Sequence, residues 1–318
     1  MAAIAAANCP TLRILSHPDE SSPTPRSELL ARAGWEVCTP ETVKPFSAVA
    51  FYFGRRLSAL TGIPIGLISS NQGGTKIEPW TGGPLYNARI HPYTRLPIKG
   101  VIWYQGEANL ADGAAYTDKL VKMVRDWRAA WGLGDFPFFY VQVAPFKYEN
   151  QNPLQLPELW EGQTKATQLI SNSGMVVIND VGNVENIHPL NKAPVGERLA
   201  RWALNKTYGH AEILTSGPMV RAVSVEGQRL RVSFYHTDRG LASRDGKPLS
   251  WFEVAGADGT YVKAEAVLDG DSVLVSAPTV PSPTWVRFAW QNIAEPNLMN
   301  KEGLPANSFR MKVSKLEN

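Results

Sequence analysis

Short apolar runs and amphipathic stretches alternate through the first part of the chain. "FSAVAFYFGRRLSAL" sets Phe46, Val49, Ala50, Phe53 and Leu57 on one face at helical spacing, and "TGIP" ends that helix in a turn. "IGLIS" (65–69), "KGVIWYQG" (99–106), "FPFFYVQVAP" (136–145) and "GMVVIND" (174–180) are continuous apolar runs, the pattern of strands covered on both faces. "YTDKLVKMVRDWRAAWGLG" carries Leu120, Met123, Val124, Trp127 and Trp131 on one stripe, with Gly132 near its end. "NKAPVGERLARWAL" begins a further helix. Strand, helix, strand repeats predict an α/β fold with a parallel sheet in three layers. From about Ser216 the texture changes. "RLRVSFYH", "SVLVSAPTV" and "TWVRFAW" alternate apolar and polar positions between Gly, Asp and Pro turns, which predicts a small antiparallel β unit of roughly a hundred residues. The expected division is 1–215 and 216–318.

Composition narrows the function classes. A chain of 318 residues, 44% hydrophobic and 19% charged, can bury a large core and form two units. Its 32 basic and 29 acidic residues are spread along the chain without the Lys/Arg stripe that a phosphate backbone demands, so no nucleic acid partner is expected. No run of about 18 apolar residues occurs, so no membrane span is expected. The opening "MAAIAAAN" is too short and lacks the basic start of a secretory signal, which leaves the compartment open. Cys9 and Cys38 are too few and too isolated for a metal knuckle and read as free thiols, one bridge being the alternative in an exported protein.

Ligands of open α/β sheets bind beyond the carboxyl ends of the strands, which directs attention to three loops. In "SSNQGGT" (69–75), Gly73 and Gly74 let the backbone approach a ligand with N–H groups exposed, the donors that a developing oxyanion needs; a plain Gly-Gly turn is the competing explanation. "GVIWYQGEANL" packs Gln105, Glu107 and Asn109 into one polar loop, and the Asn109 amide is a candidate oxyanion donor. His188, one of five histidines, lies in the loop "NDVGNVENIHPLNK", where Glu185 or Asp180 is placed to orient its imidazole. His17, His91, His210 and His236 lack such a setting.

Together, "PFSAVAFYFGRRL", "PIGLISSNQGGTKIEPWT", "KGVIWYQGEANL", "DWRAAWGLGDFPFFYVQVAPF" and "IHPLNKAPVGERLARWAL" resemble the sialate O-acetylesterase family of SGNH-type hydrolases. The resemblance runs from "NCPTLRIL" to "NKEGLPANSFR". It implies a flavodoxin-like esterase domain that removes acetyl groups from sugar hydroxyls by a Ser-His mechanism. The implied partner is an O-acetylated sugar or polysaccharide, and no metal or cofactor is needed. Carried over by position, the Gly73 N–H and the Asn109 side chain complete the oxyanion hole and His188 is the general base. Gln105, Glu107 and the segment Glu78, Pro79, Trp80 shape the pocket. Members of the family are often exported.

Three departures bear on this reading. Asn186 stands where many members carry Asp, which leaves Glu185, Asp180 or a backbone carbonyl to orient His188. Gln72 stands where an aromatic residue is usual. The family's Gly-Gln-Ser-Asn-Met-like nucleophile block is not in the sequence, so the expectation is a chain that begins downstream of the catalytic serine and is inactive as it stands. In a flavodoxin-like order the missing strand lies inside the sheet, and its two neighbours are predicted to be left with unpaired backbone groups and an apolar slot. Ser69, Ser70 and Ser16 are the substitutes to consider. A non-catalytic carbohydrate-binding remnant is the alternative, with Trp80, Trp103 and Tyr104 available to stack on sugars. A phospholipid or thioester hydrolase of the same superfamily ranks below it.

Overall fold

The computed structural model describes residues 2–28 and 34–313. After a short helix α1 (Ala2–Ala5), strand β1 (Cys9–Ser16) is followed by β2 (Glu36–Cys38), α2 (Pro40–Val43), α3 (Ala48–Thr61) and β3 (Ile65–Ser69). Then come α4 (Pro84–Arg89), β4 (Val101–Tyr104), α5 (Tyr116–Trp131), β5 (Phe138–Val141), α6 (Gln155–Leu169), β6 (Ser173–Val176) and α7 (Ala193–Thr207). Helices and parallel strands thus alternate to Thr207, as the pattern predicts. Ser47 caps α3 by accepting from the Ala50 N–H, and the stripe of α5 is buried at Leu120, Met123, Val124 and Trp127.

Successive residues of a strand point to opposite faces, and the cores follow that rule. Phe139, Val141, Val176 and Ile178 join Leu12, Ile14 and Leu67 under α3 and α7. Phe138, Tyr140, Met175 and Val177 turn the other way, under α5 and α6. Helix, strand and helix layers result around β5 and β6, which are buried on both sides, whereas β1 exposes Thr11 and Arg13 on its second face.

The strands do not form one continuous sheet. They make two three-stranded sheets, in the orders β2-β1-β3 and β4-β5-β6. β1 pairs directly with β3 in parallel, from Leu12 opposite Ile65 to Ser16 opposite Ser69. Its other edge is taken by antiparallel β2, with Ile14 opposite Glu36. The unpaired backbone expected beside β1 is therefore absent, because β2 folds back to satisfy it. β3, which pairs with β1, and β4, which pairs with β5, each have no strand on their second edge among the described residues. The β1–β2 register also sets Cys9 opposite Cys38, so the two thiols are neighbours rather than isolated; both are free, and burial, then Cys9, pushes the Cys38 thiol up to about 11.

From Met219 the chain is antiparallel. Its strands are β7 (Met219–Glu226), β8 (Arg229–Tyr235), β9 (Leu241–Ser243), β10 (Phe252–Ala255), β11 (Val262–Lys263), β12 (Glu265–Asp269), β13 (Ser272–Ser276), β14 (Trp285–Phe288), β15 (Leu298–Asn300) and β16 (Phe309–Lys312). Four-stranded sheets β12-β13-β8-β7 and β11-β10-β14-β16 close over a separate core that includes Val232, Val273, Phe252, Phe288 and Phe309. Among the described residues, no helix is long and apolar enough to cross a membrane.

Candidate active site

The loops after β3 and β4 are locked together by the Asn109 side chain. Its Oδ1 accepts from the Ile77 N–H at 2.9 Å and from Gln105 Nε2 at 2.8 Å. Its Nδ2 donates to Glu78 Oε2 at 3.1 Å and to Asp112 Oδ2 at 2.6 Å. Gln105 Nε2 donates a second time, to Thr75 O at 3.0 Å, while Tyr116 donates to Gln105 Oε1 at 2.8 Å. Lys119 Nζ bridges Glu78 and Asp112, 2.6 Å from each. Burial opposes ionisation of Glu78, but the hydrogen bonds from Lys119 and Asn109 outweigh it and hold the carboxyl down to about 2.

Asn109 is 2% exposed, and both its amide hydrogens are engaged in this network. Its place in the sequence predicts direct contact with an oxyanion; in the structure it clamps the loop that carries Gly73. Trp80 is likewise 2% exposed, edge-on to Trp103 at 5.6 Å, and donates to Thr75 Oγ1, so it is framework under the loop rather than an open sugar platform.

The start of the same loop is anchored by Arg89, which is fully buried. Its guanidinium donates to Glu20 O and to Asn71 O and pairs with Asp19. Ser70 Oγ donates to Arg89 O at 2.7 Å, and Asn71 Nδ2 donates to Ser69 Oγ at 2.6 Å. Between these anchors Gly73 and Gly74 are exposed, with open space where a Cβ would lie. Gly74 has φ +69°, a left-handed value that suits glycine. The Gly73 N–H has no hydrogen-bond acceptor among the described residues.

Glu107 lies just past β4, at the start of the 3-10 turn Glu107–Ala115. Burial raises its carboxyl above the usual range, against the opposing pull of its own N–H, of Lys192 and of His188. Lys192 Nζ stands 5.5 Å from the Tyr104 ring centroid, and burial lowers its ammonium while Glu107 raises it. Tyr148 is raised by burial and by Glu107. The fold thus gathers Glu107, His188, Lys192, Tyr104 and Tyr148 at one strand end. The sequence pattern alone does not single out Lys192 or Tyr148. Lys192 carries a signal, four residues past His188 at the entry to α7; Tyr148 reaches the site only because the segment after β5 folds back, with Lys147 N–H donating to Val184 O.

His188 is exposed, and its N–H donates to Asn186 Oδ1 at 2.9 Å, so Asn186 shapes the turn rather than holding the imidazole. Asp180 pairs with both Arg198 amines, at 2.7 and 2.6 Å, which commits it elsewhere. The exposed Glu185 carboxylate makes no hydrogen bond to the ring among the described residues; only its backbone N–H is engaged, donating to Asn183 Oδ1. Glu107 is the carboxylate whose field meets His188.

The family model for carbohydrate esterase, sialic acid-specific acetylesterase matches residues 35–205. Human sialate O-acetylesterase is 28% identical over 237 residues, covering 60% of this chain and 45% of the relative, and the mouse protein is 27% identical over 248 residues, covering 56% and 46%. The chain therefore spans under half the length of the curated relatives it matches. A solved carbohydrate acetylesterase from Xanthomonas citri superposes with a TM-score of 0.93 at 36% identity, covering 98% of this chain and 76% of that one. With helices and parallel strands in the order that the family model spans, this chain belongs to the carbohydrate esterase, sialic acid-specific acetylesterase family.

Proposed function

We propose that the chain carries the base and oxyanion donor of a carbohydrate O-acetylesterase that works by a Ser-His mechanism. The observation that supports this reading most is the interaction of an exposed His188 with the half-buried Glu107 just past β4, with the Gly73 N–H uncommitted in the loop after β3 that is bonded to the β4 loop. His188 takes the proton of a serine hydroxyl as that oxygen attacks the acetyl carbonyl. The Gly73 N–H donates to the oxyanion, and Asn109 fixes the loop that aims it. His188 then returns the proton to the departing sugar hydroxyl, and water repeats the cycle on the acetyl-enzyme. Glu107, with Lys192 beside it, sets the charge around the imidazole. Glu185 and Gln105 act at the rim and in the loop framework. The catalytic unit ends near residue 215, and the β unit follows.

The serine is the distinctive point. Ser70 Oγ donates its proton to Arg89 O, Ser69 Oγ accepts from Asn71 Nδ2, and neither hydroxyl bonds to His188 among the described residues. On this reading the 318 residues bind an O-acetylated sugar without turning it over, which also favours the carbohydrate-binding alternative for the chain by itself. Fluorophosphonate labelling, read by intact mass and peptide mapping, is the test. No adduct is expected; an adduct on Ser69, Ser70 or Ser16 overturns the missing nucleophile. In any preparation that releases acetate, His188→Ala lowers kcat by about a hundredfold or more, and retention of most of the rate removes His188 as base.

A further inference from the structure

Outside the strand-end site, the sheet β11-β10-β14-β16 presents a second chemically organised face. Phe252, Val286, Phe288 and Phe309 point into the core, so the alternate positions Glu253, Trp285, Arg287, Arg310 and Lys312 share the opposite side. Trp285 lies opposite Lys312, whose ammonium stands 5.5 Å from its ring centroid. Arg287 sits 4.1 Å over the Tyr261 ring and is gripped by Glu253 at 2.7 and 3.0 Å. Arg310 pairs with Glu161 of α6 at 2.8 Å and lies 4.8 Å from the Trp290 ring. A cleft of about 500 Å³ opens here, lined by Glu161, Gly259, Tyr261, Trp285 and Arg310. That volume falls within the roughly 300–1,000 Å³ of small-molecule sites.

Two features separate this face from an ordinary solvated sheet surface. Arg287 stands directly opposite Arg310 across β14 and β16, a like-charged pair that Glu253 and Glu161 offset, which leaves the Lys312 ammonium beside Trp285 without a carboxylate partner among the described residues. Two aromatic rings, Tyr261 and Trp285, line the cleft instead of filling the core. Aromatic walls stack on the apolar faces of sugar rings, the Lys312 ammonium can pair with a carboxylate, and Glu161 can accept hydroxyl donors. A nucleic acid fits less well. Glu253 and Glu161 already neutralise the two arginines, whereas a phosphate backbone calls for several unpaired cations.

We propose that this cleft binds a carboxylate-bearing sugar of an acidic glycan, with Trp285 and Tyr261 stacking on the ring and Lys312, a cation of this face without a carboxylate partner among the described residues, taking the carboxylate. The site shares no residue with the strand-end site and goes beyond the esterase reading, so it stands or falls independently of turnover. The ligand chemistry is common to uronic acids and to sialic acids.

Isothermal titration of the whole chain with trigalacturonate, with α-linked di-N-acetylneuraminate and with neutral xylotriose tests it. Binding of at least one acidic probe and not of xylotriose is expected, and the acidic probe that binds names the source. Trp285→Ala weakens it by about tenfold or more, the loss of one good contact. Lys312→Gln, at an exposed position with no carboxylate partner among the described residues, weakens it without disturbing the Arg310 and Glu161 pair. His188→Ala leaves it unchanged, which separates this site from the catalytic one. Equal binding of xylotriose, no binding of either acidic probe, wild-type affinity in both cleft variants, or tighter binding of a thymidine trinucleotide would each overturn the assignment.

Discussion

Asn109 shows how a residue legible as chemistry can be spent on architecture. Its amide joins four partners, the Ile77 N–H, Gln105, Glu78 and Asp112, at a position almost closed to solvent. Removing it leaves the buried Ile77 N–H and part of the Glu78 network unsatisfied. Asn109→Ala is therefore expected to cost about 1–3 kcal/mol in urea unfolding, besides any loss of rate. A variant of unchanged stability would return Asn109 to a direct oxyanion role. Glu78 adds a pH signature. Its folded carboxyl titrates near 2 against an ordinary 4.5, so its contribution to stability is complete above about 4.5 and is lost as pH falls toward 2. Glu78→Gln should flatten that part of the stability curve; an acid limb identical to wild type would show that Lys119 and Asn109 do not favour the charged form. From sequence, the polar loop was visible, but which of its atoms were already bonded was not. That depends on Ile77 and Asp112, which approach only after the β3 and β4 loops close on each other.

At the scale of elements, the strongest periodicities were also the most readable. The stripe of α5 and the apolar runs of β3, β4 and β5 lie where the pattern puts them, because a buried strand or amphipathic helix has few other ways to hide those residues. α6 was not evident. Pro157 and Gly162 interrupt its reading, yet Pro157 stands in the first turn, where it is tolerated, and a Cβ at Gly162 would come 3.0 Å from Gly113 O. The many two- to five-residue strands of the β unit, such as β9, β11 and β15, are too short to carry a period. The α3 and α7 crossing rests on a similar close approach. A Cβ on Gly196 would lie 2.5 Å from Val49 O and 2.7 Å from Tyr52 Cβ. Gly196→Ala should force the helices apart at a cost of about 1–3 kcal/mol, and because α7 leads directly from His188 and Lys192, it should also disturb the site loop. Urea unfolding and the His188 NMR line position read both effects; an alanine that changes neither would mean that the helices slide without cost.

Over the whole molecule, the α/β part and the β unit meet through polar contacts. Asn179 Nδ2 donates to Ala306 O at 2.9 Å, Phe146 N–H to Asn292 O at 2.8 Å, and Arg310 reaches Glu161. Glu302 binds Arg201 of α7 at 3.0 Å and Arg239 at 2.5 Å. The chain passes between the two parts at Gly217, where a Cβ would stand only 2.0 Å from Pro305 O and 2.6 Å from Leu304 O. No side chain fits there while the joint is closed. If these contacts make the two cores unfold together, heating should give one transition, seen alike by calorimetry and by aromatic circular dichroism. Gly217→Ala should then push residues 304–306 off the joint, weaken the bond to Asn179, and split the trace into two transitions, the β unit melting apart from the α/β core. Both cores keep their own apolar packing in that variant, so a uniform fall of a single transition would locate the damage within a core. An unchanged trace would show that the joint already yields in the native protein, and that the cleft proposed for a carboxylate-bearing sugar, which spans it through Arg310 and Glu161, has no fixed wall on the α6 side.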